Sequence, residues 1–379
     1  MKIVHILDNL DRGGAQTMLR SVVAGLTKRG HGQHIICLNE VFNEEVVAAM
    51  RAAGASVEII GRPRLYGLVG LWSIVSELRR RQPDLVHTEL PWGDLIGRTA
   101  ARAAGIAPIV STVTARYADK PRLQLWFDRK TASWADRVAF QSAEIVPFSL
   151  AHEGVRPDQV QVIPNGVDAD DRDRSAAAAA LRREFGGGAA TILGMVARLH
   201  PQKAHPDLLD AFARLNSSPA DVRLWLIGDG PDRSRLAAQA AALGIDDRVV
   251  FAGDRGDVRD WIAAMDIFVH PTYFEGLPLA VLEAMIMGKP VITSPIDGLR
   301  SLITSGVHGW LVPPSDADAL ADIIDDAIAH PEERARIAAA GAARARSQFG
   351  SDRVVDAYEA LFNSVLAARS AALSASVPQ

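Results

Sequence analysis

The sequence predicts an α/β protein of two doubly wound, Rossmann-like domains that face each other across a central cleft. Three observations lead there. Short apolar runs alternate with helical stretches from the first residues onward, the rhythm of a parallel sheet covered on both faces. That rhythm pauses at DADDRDRSAAAAALRREFGGG, residues 168–188, and then resumes. The 379 residues exceed one ordinary core, and 48% hydrophobic with 23% charged residues can fill two.

The elements follow in chain order. Residues 3–7 read as a strand, and 15–29 as an amphipathic helix ending at Gly30. A strand over 33–38, a helix over 44–53 stopped by Gly54, and a strand over 56–60 come next. The helix 68–81 ends before Gln82-Pro83, where proline cannot continue it. Strands 85–88, 109–113 and 137–141 alternate with helices 93–104 and 122–134. Residues 160–164 form a last strand before the linker. The second series has strands at 191–197, 222–228, 249–252, 267–270 and 290–293. Its helices lie at 206–215, 233–243, 258–265, 279–287, 317–329 and 332–347. A closing helix, 352–368, has Val354, Val355, Tyr358, Leu361, Phe362 and Val365 at helical spacing, and the tail SAALSASVPQ reads as frayed. We assign residues 1–168, with the closing helix 352–368 returning onto them, to the first domain and 169–350 to the second.

Composition narrows the function. One cysteine, Cys37, excludes an internal disulfide and fits a reducing compartment. MKIVHILDNL lacks the features of a secretory leader, and no apolar stretch is long enough to span a membrane, so a cytoplasmic protein is expected. Residues 1–150 hold 19 Lys and Arg against 14 Asp and Glu, and the rest hold 22 against 31. The basic half either meets an anionic surface or ligand, such as a membrane, or is an ordinary solvated face. Nucleic acid is excluded as a partner, since no basic stripe carries interleaved aromatics. No HExxH, Asp-rich loop or His/Cys cluster marks a metal site.

Four loops carry candidate chemistry. Arg12-Gly13-Gly14 sits between the first strand and helix, where backbone N–H groups can meet an anion or the glycines can serve a turn needing positive φ. Arg198-Leu199-His200-Pro201-Gln202-Lys203 places two cations after a strand, suited to a diphosphate or to solvent. Gly228-Asp229-Gly230 and Gly253-Asp254-Arg255-Gly256 open room for a flat base or are turns. FEGLPLAVLEAM, residues 274–285, sets Glu275 before a helix and Glu283 inside an apolar run. A carboxylate there needs a partner. Either a vicinal diol such as a ribose, or Lys289, Arg198 or Arg300, could satisfy Glu283. His87 and Glu89 end a strand on the other domain, where His87 is an acid–base candidate or a structural hydrogen-bonder.

Taken together these segments resemble the retaining GT-B glycosyltransferases of glycosyltransferase family 4, the "glycosyl transferases group 1" set. The similarity covers nearly the whole chain: MKIVHILDNLDRGGAQTMLRSVVAGLTKRGH, VIPNGVDADD, GMVARLHPQKAHPDLLDAF, LWLIGDGPDRSRL, FAGDRGDV, FEGLPLAVLEAMIMGKPVI and HGWLVPPSDADALA fall in family order. The glutamate pair with seven residues between is its most specific element. The resemblance implies a nucleotide-sugar donor, UDP favoured over GDP, as substrate, with no cofactor and no metal. Arg198 and Lys203 would hold the diphosphate, with Gly13 and Gly14 helping. Glu275, Gly276 and Leu277 would hold the sugar, Glu283 the ribose and Arg255 the base. Glu275, Arg198 and Lys203 form the implied catalytic set.

Two departures fall on the acceptor side, where His87, Glu89, Thr114 and Arg116 are the candidates. Many relatives have His at the place of Glu89, and many have a second His at that of Thr114. The lead reading is a retaining, metal-independent hexosyltransferase acting on a lipid-linked or glycan acceptor in envelope or exopolysaccharide synthesis, at the inner membrane face. The alternative is a sugar-nucleotide-binding partner subunit with weak or no catalysis.

Overall fold

The computed structural model describes residues 1–61, 68–114, 120–169, 172–186, 188–215 and 222–375. The chain divides into two compact units, Met1–Asp168 with Ser351–Gln379, and Ala169–Gly350.

In the first unit seven strands form one parallel sheet in the order β3-β2-β1-β4-β5-β6-β7. They are β1 (Lys2–Leu7), β2 (Gly32–Cys37), β3 (Ala55–Ile59), β4 (Leu85–Glu89), β5 (Ile109–Val113), β6 (Arg137–Phe140) and β7 (Val160–Val162). β1 pairs with both β2 and β4, so the winding reverses between β1 and β4. Ligands of such sheets bind outside the carboxyl ends of the strands at that reversal. β4 and β5 are buried along their whole length, as central parallel strands are when helices cover both faces. The helix Ser351–Ala375 belongs to this unit. Its Tyr358 and Phe362 rings lie 5.6 and 5.5 Å from the His87 ring. Gly25 on the helix Gly14–Lys28 admits it, since a Cβ there would overlap Val355.

The second unit repeats the plan with six parallel strands in the order β10-β9-β8-β11-β12-β13. They are β8 (Thr191–Val196), β9 (Val222–Ile227), β10 (Val249–Gly253), β11 (Ile267–His270), β12 (Val291–Thr293) and β13 (Trp310–Leu311). Its reversal lies between β8 and β11, which pair directly. Its core joins Leu193, Met195, Leu208, Phe212, Leu226 and Ile324.

The α/β class and doubly wound sheets match the expectation. Four details differ. Helices Val146–His152 and Asp297–Leu302 and strand β13 have no counterpart in the sequence reading, because one or two turns, or two residues, carry too few positions to show a period. The stretch 122–134 is an α-helix to Thr131 followed by a 3-10 turn. The final helix continues to Ala375 through residues expected to fray, since Ala is the strongest helix former. The helix over 91–104 starts at Pro91, whose missing N–H is harmless at a first turn.

Candidate functional site at the carboxyl ends of β8 and β11

The loop after β8 carries Arg198 and Lys203, and the loop after β11 carries Glu275. Backbone packing sets the first loop. Leu199 N donates to Asp229 O at 3.0 Å and Asp232 N to Leu199 O at 3.1 Å. Gly228 and Gly230 permit this approach: a Cβ on either would lie 2.1 or 2.3 Å from the Ala197 or Leu199 carbonyl oxygen. These glycines therefore make room for the arginine loop itself, as a tight turn does. Arg198 is exposed and forms no ion pair among the described residues.

Gln202 ties the two loops together. Its Nε2 donates to Phe274 O at 2.6 Å, and its backbone oxygen accepts from Tyr273 N at 3.0 Å and Thr272 Oγ1 at 3.1 Å. The Lys203 ammonium thereby meets the Glu275 carboxylate, both side chains being mostly buried. Burial pushes Lys203 down to about 8, a pull that the adjoining carboxylate opposes. His270, at the end of β11, lies 3.8 Å from Glu275 through Nε2. Among the described residues neither His270 ring nitrogen has a hydrogen-bond partner, and burial holds the ring neutral, well below the ordinary histidine range. Gly276 and Leu277 are buried, and the helix Asp297–Leu302 closes on them: a Cβ at Gly298 would lie 2.0 Å from Gly276 O.

Glu283 sits on the helix Leu279–Ile286 beside buried Leu282 and Ala284. Its partner is Arg259, whose Nε donates at 3.1 Å. This corrects the expected trio of cations. Lys289 instead donates to Ala263 O and Met265 O at 2.7 Å, and Arg300 to Pro295 O at 2.5 Å. Arg255 forks onto Asp257 at 2.9 and 2.8 Å, its guanidinium 5.4 Å from the Trp261 ring centre.

The first unit's candidates lie at its own reversal, after β1 and at the end of β4. Gly13 caps the helix Gly14–Lys28 in an extended conformation, and neither Gly13 nor Gly14 has positive φ. The turn explanation is thus excluded. What Gly13 permits is the approach of Gln16, whose side-chain oxygen would be 2.6 Å from a Cβ. His87 does not face a crevice. It is fully buried, with Nδ1 2.9 Å from His5 Nδ1 and Nε2 2.8 Å from Thr112 Oγ1. Gln33 Oε1 accepts from His5 Nε2 at 2.7 Å, so a neutral His5 presents a lone pair at Nδ1. His87 must then donate from Nδ1 and accept at Nε2. Burial drives its pKa far down, and both nitrogens are spent, so the acid–base reading of His87 is corrected to a structural one. Glu89 is buried, and desolvation, then the Asp94 charge, raise it to about 8. Thr114 follows β5, half-buried, and Arg116 lies outside the described residues.

Two family models match the chain: Glycosyltransferase Family 4 over residues 12–171 and Glycosyl transferases group 1 over residues 190–330. The UDP-Gal:alpha-D-GlcNAc-diphosphoundecaprenol alpha-1,3-galactosyltransferase of Escherichia coli is 30% identical over 274 residues, covering 68% of this chain and 70% of that protein. The chain belongs to glycosyltransferase family 4. The 2-deoxystreptamine glucosyltransferase of Streptomyces kanamyceticus is 28% identical over 299 residues, 71% of this chain and 77% of that protein. The crystal structure of Anabaena Alr3699/HepE in complex with UDP is similar with a TM-score of 0.82 at 25% identity, covering 96% of this chain and 100% of that one. This family 4 glycosyltransferase therefore has the GT-B fold, two Rossmann-like domains.

Three residues of the candidate site escaped the sequence reading, Arg259, His270 and Gly298, and Gln202 was read only as part of its loop. Only His270 left a trace, as the polar end of an otherwise apolar strand. Among the described residues, His34, Glu58 and Glu77 come close enough to share an ion, but Arg80 and Arg81 already hold Glu77.

Ala204 follows Lys203 with φ of 47°, in the left-handed region, where a Cβ costs about 1–2 kcal/mol and glycine does not incur it. Ala204→Gly is expected to raise stability by about 0.5–1 kcal/mol after glycine's own entropy cost, read as a higher melting midpoint.

Proposed function

We propose that this glycosyltransferase moves a hexose-type sugar, with retention, from a UDP-sugar in preference to a GDP-sugar. The acceptor is a lipid-linked or glycan intermediate of envelope or exopolysaccharide synthesis, met at the inner membrane face from the cytoplasm. The observation that carries the donor half is the meeting of Lys203 and Glu275 at the β8/β11 reversal, beside exposed Arg198. The name of the Escherichia coli relative, which includes a diphosphoundecaprenol-linked sugar, supports the acceptor half.

In this reading Arg198 and Lys203 grip the diphosphate and neutralise the charge that grows on it as the glycosidic bond breaks. They stand where a metal ion or other cofactor would otherwise supply positive charge. Glu275, with the backbone of Gly276 and Leu277, orients the sugar hydroxyls, and a diphosphate oxygen takes the acceptor proton on the same face. Glu283 accepts from the ribose hydroxyls, and the Arg255 loop borders the base. Glu89, raised to about 8, is protonated near neutrality and offers the acceptor side a donor rather than a base. Thr114, two residues beyond the Thr112 that pairs with Glu89 across β4 and β5, and Arg116 complete the acceptor-side set.

A thermal-shift screen of nucleotide sugars tests the donor. A ligand at one hundred times its dissociation constant adds about 2.7 kcal/mol, and UDP compounds should stabilise while GDP compounds do not. The pH dependence adds a second check. UDP binding needs a charged Lys203, whose pKa in the free protein is about 8. Affinity should be nearly flat between about pH 7, where the terminal phosphate of UDP is ionised, and that pH, and fall up to tenfold per pH unit above it, because binding must first return the proton. Calorimetric titration should show the fall vanish in Lys203→Arg. The second reading, a nucleotide-sugar-binding partner subunit, is favoured by Thr114 and by the locked His87. UDP stabilisation with no turnover on any acceptor would establish it.

A further inference from the structure

The helix Arg122–Thr131 is turned inside out. It buries Gln124, Asp128 and Thr131 and leaves Leu123 69%, Trp126 52% and Phe127 40% exposed. A globular helix does the opposite. The cause is a buried ionic network that fixes its rotation. Asp128 accepts from Arg98 at 3.3 Å and from Lys120 at 2.9 Å. Lys120 also donates to Glu153 at 2.6 Å, and Glu153 accepts from Ser149 at 2.5 Å. With Asp128 held inward, positions 123, 126, 127 and 130 share the outer face.

That face is apolar with a cationic rim. Arg122, Arg129 and Lys130 are exposed, Lys130 Nζ lies 5.7 Å from the Trp126 ring centre, and the helix's one acid is the buried Asp128. Trp134 is exposed just beyond it. The seven tryptophans sort by unit: Trp72, Trp92, Trp126 and Trp134 of the first are exposed, while Trp225, Trp261 and Trp310 of the second are buried.

We propose that the outer face of the helix Arg122–Thr131 docks on an anionic lipid bilayer. Leu123, Trp126 and Phe127 enter the boundary between headgroups and acyl chains, and Arg122, Arg129 and Lys130 meet lipid phosphates. Tryptophan favours that boundary because its ring is apolar and its N–H polar. Charge selects this occupant over a second copy of the chain, since a two-fold contact would bring the same cations together. The helix follows β5, one loop beyond Thr114, so docking would present the acceptor side of the first unit to lipid. The proposal rests on the lipid-linked acceptor reading but is tested apart from it.

The test is sedimentation with vesicles of phosphatidylcholine alone and of phosphatidylcholine mixed with phosphatidylglycerol. The protein should sediment with the mixed vesicles. Leu123→Ser/Trp126→Ser/Phe127→Ser should lower partitioning at least about tenfold on both. Arg122→Gln/Lys130→Gln should lower it about tenfold on the mixed vesicles alone. All variants should keep their circular dichroism spectra, these side chains being at the surface. Failure of the unsubstituted protein to sediment, or equal sedimentation of the triple variant, would overturn the proposal. So would a dimer that dissociates on the triple substitution. The sedimentation result stands whether or not UDP binds.

Discussion

Glu275→Gln and Lys203→Met should each lower kcat/KM about 10²–10³-fold, the first by loosening the sugar's orientation and the second by removing a charge aimed at the leaving diphosphate. Initial rates with a UDP-sugar and a lipid-linked acceptor measure it. Both variants should also be less stable, because each leaves a mostly buried partner uncompensated. Fully buried pairs lose about 3–5 kcal/mol on such truncation, and the residual exposure here places the loss at or below the lower end. The double variant Lys203→Met/Glu275→Leu separates the two effects. An apolar pair of similar size can replace a buried ion pair with little loss of stability. Its melting midpoint should recover while its activity stays lost. A folded single variant within about threefold of full activity would remove these residues from the catalytic roles assigned to them.

Ending the chain after Gly350 should abolish cooperative folding of the first unit. The truncation deletes Val354, Val355, Tyr358, Leu361, Phe362 and Val365, all buried against that unit. At about 1.5–3 kcal/mol per buried side chain they contribute on the order of 10 kcal/mol, against about 5–15 kcal/mol for a whole protein. The loss is polar as well. The Tyr358 hydroxyl lies 3.1 Å from Thr112 Oγ1, which in turn holds His87. Removing the helix opens the buried histidine pair to water on one side. Ending the chain after Ala368 deletes only exposed side chains among those described, so its midpoint should stay within about 2 °C of the full chain. A normal melt after truncation at 350 would show that the helix is dispensable.

The strands and most helices were legible because burial in a parallel sheet writes itself locally. β5 was readable to the residue from IVSTV, as was β11 from IFVH, since both are apolar runs bounded by turns. Side-chain partners were not legible. The carboxylate of Glu283 stood out against its apolar neighbours, yet its cation lies on another helix, 24 residues earlier. His87 looked like a strand-end acid–base group. Its burial depends on Tyr358 and Phe362, more than 270 residues later, and on His5 and Gln33 on neighbouring strands. The helix at 122–131 was placed by its period, but its rotation was set by Arg98, Lys120 and Glu153.

The sequence by itself determined the α/β class, the succession of strands and helices, and membership of a sugar-transferring family. Those properties reside in hydrophobic period and loop motifs, which each segment carries within a few residues. Tertiary structure alone decided that Lys203 meets Glu275, that His87 is sealed from reaction, and that Leu123, Trp126 and Phe127 face outward. Each outcome is a choice among distant partners for a buried charge or ring. The low-dielectric interior makes that choice costly to get wrong.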